Sequence, residues 1–289
     1  MSAYNEAMGE ELRHNLVLVE DAVWVVTQPT GMRRYDFEFE QFLQCRHPFR
    51  REGIVRAVAR MGAAGEYAKR YADLLAEGVR LVHTPEEYER TSQLPGWYSL
   101  IEDLTPRSIW FDERPPVEAI SAAFDWPVFV KGARQTSKHQ RHLSILDGPE
   151  HFERVMDAWQ ADPILHWQQI VCREYVPLRL VGPQSPVTLP RAFEFRSFWW
   201  DGDCVGIGPY WADDHYELTA KEREAALTVA GEAARRVGVT FLVVDIAQTA
   251  EGHWIVIECN DGQDSGYAGV APLLLCRRVI DLVRSLQAD

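Results

Sequence analysis

"HWIVIECNDGQDSGY", residues 253–267, decides the fold: an apolar strand runs without a break into a carboxylate, an amide and two more acids. Alternate residues of a strand share a face, so Glu258 and Asn260 point one way while Ile257 and Cys259 point into the opposite layer. Two oxygen-bearing groups then converge on one spot. Upstream, "FLVVDIAQ" carries Asp245 inside an otherwise apolar run, and a hairpin through "TAEGH" lays the two strands side by side, which brings a third oxygen. Asp, Glu and Asn are hard donors that suit magnesium better than zinc, and three protein ligands leave octahedral magnesium open to phosphate oxygens and water. The alternative is that Asp245 and Glu258 are solvated or form a structural ion pair. Against it, each interrupts an apolar run, where an unpaired carboxylate is costly.

A magnesium-nucleotide site also needs cations. Lys131 ends the strand "PVFVK" and leads into "GARQTSKHQR", a polar loop bearing Arg134, Lys138 and Arg141. Such a loop can fold over a polyphosphate, although a charged hairpin tip is also compatible with plain solvation. Neither G-x-x-x-x-G-K-[ST] nor G-x-G-x-x-G occurs, so the phosphate must be held by other means. In "QQIVCREYVPL" Glu174 precedes Tyr175, Val176 and Pro177; this segment can set donors and acceptors at the edge of a flat base, or be an edge strand with an exposed glutamate. In "AFEFRSFWWDGDCVG" Glu194 and Arg196 share a face and Asp201-Gly202 makes the turn. Arg196 can clamp a transferring phosphoryl group or a carboxylate, or make a structural ion pair.

In their order (strand lysine with polar loop, hinge "REYVP", strand arginine "EFR", metal aspartate "VVDIA", then "IECND") these elements resemble the ATP-grasp superfamily, in particular the small clade named for two arginines and one lysine. The resemblance runs from about Pro116 to the C-terminus. It implies an α+β fold with the nucleotide between two α+β lobes, following an N-terminal α/β lobe. It implies ATP and two magnesium ions as cofactors, and a ligase reaction in which a carboxylate of an amino acid, peptide or small metabolite becomes an acylphosphate that an amine attacks, releasing ADP and phosphate. By position, Lys131 and Lys138 contact phosphates, while Glu174, Tyr175 and Val176 meet adenine at the hinge. Glu258 bridges the metals, Asp245 and Asn260 complete the coordination, and Arg196 steadies the transferred phosphoryl group, with Lys138 and Arg196 as the catalytic pair. The glycine-rich loop of larger members is reduced to Gly132, leaving Arg134, Lys138 and Arg141 as candidates for the phosphate contact, and Arg179 or Arg191 as the second arginine. Acceptor substrates are expected against "DGQDSGY". Two other readings stay open: a kinase-like phosphotransferase, including one acting on RNA ends, and a non-catalytic ATP-binding module.

The whole chain sets the bounds. It has 289 residues and a formal charge of -13, so duplex nucleic acid is disfavoured as a partner and a small-molecule or peptide substrate is expected, with a homodimer compatible. The 5 cysteines show no C-x-x-C spacing and signal neither a disulfide framework nor a zinc site. No apolar run approaches the ~18 residues of a membrane span and no basic-then-apolar leader opens the chain, so a cytoplasmic, unanchored protein is expected. The prolines of "LTPRSIWFDERPP" place a boundary that divides the chain into residues 1–114, an α/β lobe, and 115–289, the ATP-grasp domain. In the first, "NLVLVEDAVWVVTQ" reads as two strands around a turn and "GIVRAVARMGAAGEYAKRYADLLAEG" has helical spacing broken near its glycines. In the second, Phe152, Val155, Met156 and Trp159 form the core stripe of a helix, Thr219 and Glu222 a capping box, and the segment from about Pro272 to Leu286 a closing helix.

Overall fold

The computed structural model describes residues 14–32, 35–48, 53–62, 66–137, 140–211 and 215–288. Its contacts divide into two compact units, the first built from residues up to Tyr88 together with Asp261–Tyr267 and the segment from Ala271 onward, the second from Glu89–Asn260 and Ala268–Val270. Pro115 thus lies within the second unit. No helix among the described residues is long and apolar enough to cross a membrane.

The first unit holds β1 (Asn15–Val19), β2 (Val23–Thr27), β3 (Cys45–Arg46), β4 (Val55–Arg60) and β5 (Val79–Leu81) in one sheet of order β3-β1-β2-β4-β5. The expected hairpin of β1 and β2 is antiparallel and turns at Glu20 and Asp21, both at positive φ. β2, β4 and β5 run parallel. The helical expectation for the start of "GIVRAVARMG" is corrected, because Val55–Arg60 is a strand and the helix begins at Tyr67. The small residues Ala57 and Ala59 that suggest a helix lie buried on β4, which runs parallel to both its neighbours in a mixed sheet, and with Val58 also buried the strand is covered on both faces. The segment 261–267 packs into this unit through Arg60, whose Nη1 donates to the carbonyls of Gly262, Gln263 and Ser265 at 3.1, 2.9 and 3.0 Å, while Gln263 Oε1 accepts from the Ala59 amide at 3.0 Å.

The second unit contains two four-stranded sheets. One, of order β6-β9-β7-β8, comprises β6 (Ser108–Phe111), β7 (Val128–Gly132), β8 (Ile145–Leu146) and β9 (Ile170–Glu174). The other, of order β11-β10-β12-β13, comprises β10 (Glu194–Trp200), β11 (Asp203–Pro209), β12 (Phe241–Gln248) and β13 (Trp254–Asp261). In the first sheet the stripe Phe152, Val155, Met156 and Trp159 of the helix Pro149–Ala161 packs with Val128, Val130, Ile170 and Cys172. In the second sheet an alanine-rich face of the helix Ala220–Val237 packs with Trp199, Leu242 and Val244. That helix opens with the expected Thr219–Glu222 capping box and stops at Gly238, which is left-handed at φ 65. β9 is an inner strand between β6 and β7, so "QQIVCREYV" is not an edge strand, although Glu174 at its end is exposed as that alternative expects.

Candidate functional site

The side chains of β7, β9 and β13 divide between the helix-covered cores and a cavity within the second unit. Strict alternation holds along β7 but not along β13, where Ile257 and Glu258 both line the cavity and Val256 and Cys259 both lie in the core, so Ile257 does not point away from Glu258 as the spacing predicts. On β9, Ile170 and Cys172 join the core under the helix Pro149–Ala161, while Val171 faces the opposite core and Arg173 follows it two residues on. The cavity measures about 290 Å³, and Phe129, Ile145, Ile255 and Ile257 give it largely apolar walls. Lys131, Glu174, Tyr175, Val176 and Glu258, all singled out in the sequence, line it together.

Lys131 is 3% exposed and its Nζ pairs with Glu258 Oε1. Arg173 is 4% exposed; its guanidinium donates to the Ile257 carbonyl at 2.7 Å and to Thr105 Oγ1, and Thr105 in turn donates to the Val256 carbonyl at 2.8 Å. This arginine therefore stitches β9 to β13 one residue before Glu258. Burial pulls its pKa down to about 10, against the opposing charge of Glu258. The sequence reading offers Arg179 or Arg191 as the second arginine and does not single out Arg173. Arg179 is committed elsewhere, bonded to Glu222 at 2.7 Å and Gln248 at 2.9 Å with its guanidinium over the Phe193 ring. The signal for Arg173 is a charge at an inward position of "IVCRE", the same pattern that singles out Asp245.

Asp245 on β12 and Arg196 on β10 are cross-strand partners. They form a bidentate pair, Arg196 Nε to Oδ1 at 2.8 Å and Nη2 to Oδ2 at 2.7 Å, with Asp245 1% exposed. Burial opposes the charge on Arg196, but Asp245, then Glu258 and Glu194, outweigh it and hold the guanidinium above its ordinary value. Arg196 also lies 5.1 Å from the Tyr210 ring centroid. The ion-pair alternative for Asp245 thus describes what the structure shows, and both carboxylates face a cation: Glu258 meets Lys131, and Asp245 meets Arg196. Asn260 places a buried side-chain nitrogen with no hydrogen-bond partner at the end of β13. Among the described residues no three His, Cys, Asp or Glu side chains gather as a ligand set; the donor set expected for magnesium is two carboxylates and an amide. Its hard oxygen chemistry, with the Asn260 side-chain oxygen as the amide's donor atom, fits such an ion.

Beyond Asn260, Asp261 serves the protein itself. Asp261 accepts from the Gln263 amide at 2.8 Å and lies 3.1 Å from His83 Nδ1, and Asp261, Gln263 and Ser265 are buried. Three of the side chains that the sequence offers to an acceptor substrate therefore anchor their own loop.

In the loop after β7, Arg134 is bound to Glu89 at 2.8 and 3.0 Å and to Ser92 at 2.9 Å, so it is not the phosphate contact in this arrangement. Lys138 lies outside the described residues. Thr136 and Glu194, neither counted among the site residues from sequence, line the cavity.

A family model described as an ATP-grasp domain, family 3 of the clade named for two arginines and one lysine, matches residues 121–279. Among solved structures, the fold is similar to D-alanine–D-alanine ligase from Bacillus anthracis complexed with ATP, with a TM-score of 0.57 at 14% identity over 81% of this chain and 79% of that one. D-alanyl-alanine synthetase A from Vibrio cholerae O1 biovar eltor is similar at a TM-score of 0.54 and 17% identity, over 81% and 77%. A RimK domain protein ATP-grasp from Sphaerobacter thermophilus is similar at 0.51 and 16%, over 79% and 78%. No curated protein matches the sequence.

Proposed function

Since this chain belongs to family 3 of the two-arginine, one-lysine clade of ATP-grasp domains and has the ATP-grasp fold, we propose that it is an ATP-dependent carboxylate–amine ligase acting on an amino acid, a peptide or a small metabolite. The observation that carries this reading is the convergence of Lys131 and Arg173 on Glu258 in the wall of a largely apolar cavity, with Arg196 close enough for Glu258 to stabilise its charge. Adenine lies among Phe129, Ile145, Ile255 and Ile257, with the backbone of Glu174, Tyr175 and Val176 along its edge. Lys131, with Lys138, takes the phosphates.

A carboxylate oxygen of the substrate attacks the γ-phosphorus, ADP leaves, and the amine nitrogen then attacks the acyl carbon, losing a proton as phosphate departs. Phosphoryl transfer needs positioning and charge neutralisation above all, and Arg196, rigidly oriented by Asp245, stabilises the charge spread over the transferred oxygens. Arg173 acts by holding β13 against β9, so that Glu258 stays within reach of Lys131. Asp245, Glu258 and Asn260 would hold magnesium, which when bound supplies further neutralisation of the phosphates. Pairing and metal holding are compatible, because each carboxylate oxygen keeps a second lone pair after accepting one bond.

Phosphorus NMR of the protein with ATP, magnesium and pooled carboxylate and amine metabolites tests the proposal. ADP and free phosphate that depend on both pools are expected. Phosphate retained on a metabolite would make the protein a kinase, and AMP would replace the acylphosphate route by adenylation. Glu258→Gln, which keeps the shape of the side chain, is expected to slow ADP formation at least about a hundredfold.

A further inference from the structure

The turn following the helix Pro149–Ala161 carries two buried acceptors that serve the loop after β7. Asp162 is 4% exposed and takes four hydrogen bonds: Oδ2 accepts from Ser137 Oγ at 3.1 Å and Gln140 Nε2 at 2.8 Å, and Oδ1 from the amides of Ile164 at 2.8 Å and Leu165 at 3.1 Å. Gln168 Oε1 accepts from the amides of both Arg134 and Gln135 at 2.8 Å, while its Nε2 donates to the Ile164 carbonyl at 2.5 Å. Gly132 is needed for this approach, since a Cβ there would overlap the Gln168 side chain. Thr136, which lines the cavity with Lys131, is the residue between these two attachments.

A merely solvated hairpin tip has no need of two buried acceptors, whose desolvation is repaid only by the bonds they make. Here the bonds fall on both sides of Thr136, the one loop residue among the described residues that reaches the cavity. We propose that Asp162 and Gln168 are positioning residues that pre-order residues 132–137, so that Thr136 meets the phosphate end of the nucleotide beside Lys131. This rests on the nucleotide reading above and adds where the ordering of the loop originates. Because the loop is already ordered, less of the binding free energy is lost in ordering it around the phosphates.

Binding of MgATP, MgADP and adenosine is measured for the unaltered protein, Gln168→Leu and Ser137→Ala. Each substitution is expected to weaken MgATP and MgADP about tenfold while adenosine stays within about twofold. A purely structural role would lower affinity for all three ligands together. Equal losses across the three ligands, or no loss in either variant, overturn the assignment of Asp162 and Gln168 while leaving the nucleotide site intact. Failure of the unaltered protein to bind any of them removes the nucleotide reading and this inference with it. Should Gln168→Leu not fold, Ser137→Ala decides, since it removes one hydroxyl without disturbing the turn.

Discussion

The pair Arg196–Asp245 joins two largely buried charges across neighbouring strands, so its stability contribution can be tested apart from the proposed chemistry. Removing one member of a buried ion pair leaves the other charge uncompensated, at a cost of about 3–5 kcal/mol. Arg196→Ala is therefore expected to lower the unfolding free energy by that order in a urea titration, and Asp245→Asn in the same background to restore part of it by removing the stranded charge. If Arg196→Ala unfolds at the same urea concentration as the unaltered protein, Asp245 has another compensating partner. Asp245, Glu258, Asn260, Lys131 and Arg196 are all singled out in the sequence as polar interruptions of apolar strands, and of these Lys131 and Glu258 line the cavity while Asp245 and Arg196 pair with each other. Arg173 carries the same signal, but the arginines nearer the hinge prolines draw the reading away from it. What sequence could not show is that Asp245 and Arg196 occupy facing positions on β10 and β12, a fact of register that no single strand contains.

At the scale of elements, most of the strands of the second unit and the helix Pro149–Ala161 follow from period, and the capping box and left-handed Gly238 mark the ends of the helix Ala220–Val237 as expected, while the helix Val117–Ala123 is not anticipated from the sequence. The reading fails where alanines make a strand look helical, at Val55–Arg60, because burial between layers overrides local propensity. It also misses a close approach of two backbones. The Gly269 amide donates to the Pro209 carbonyl at 2.9 Å, and a Cβ on Gly208, the cross-strand partner of Arg196, would run into the carbonyl of Gly269. Gly208→Ala should cost about 1–3 kcal/mol, measured by thermal unfolding, since a backbone has to move to admit the methyl. An unchanged melting temperature would mean that residues 268–270 give way freely.

On the scale of the whole molecule, burial rather than cross-linking protects two of the five thiols, Cys172 and Cys259. Burial pushes the Cys172 and Cys276 thiols up to about 12, and Cys259 is raised well above its ordinary value. At pH 8 Cys172 and Cys259, the two buried cysteines, are expected to stay unlabelled by iodoacetamide until the protein is unfolded, while Cys276, which is only partly buried, is expected to label slowly; mass spectrometry that finds Cys172 or Cys259 modified in the native protein would contradict the burial described here. Proline and composition place a single boundary near Pro115, but the compact units are not contiguous in the chain: Asp261–Tyr267 and the helix Pro272–Ala288 complete the unit that the first residues begin. Only long-range partners reveal this, such as Gln263 on Ala59 and the three carbonyls gathered by Arg60. Chains commonly fold from the N-terminus as they are synthesised. Here the order is reversed: the ribosome has to deliver the last helix before the earliest strands obtain their full set of partners, so the middle of the chain can reach its final form while the beginning waits for the end.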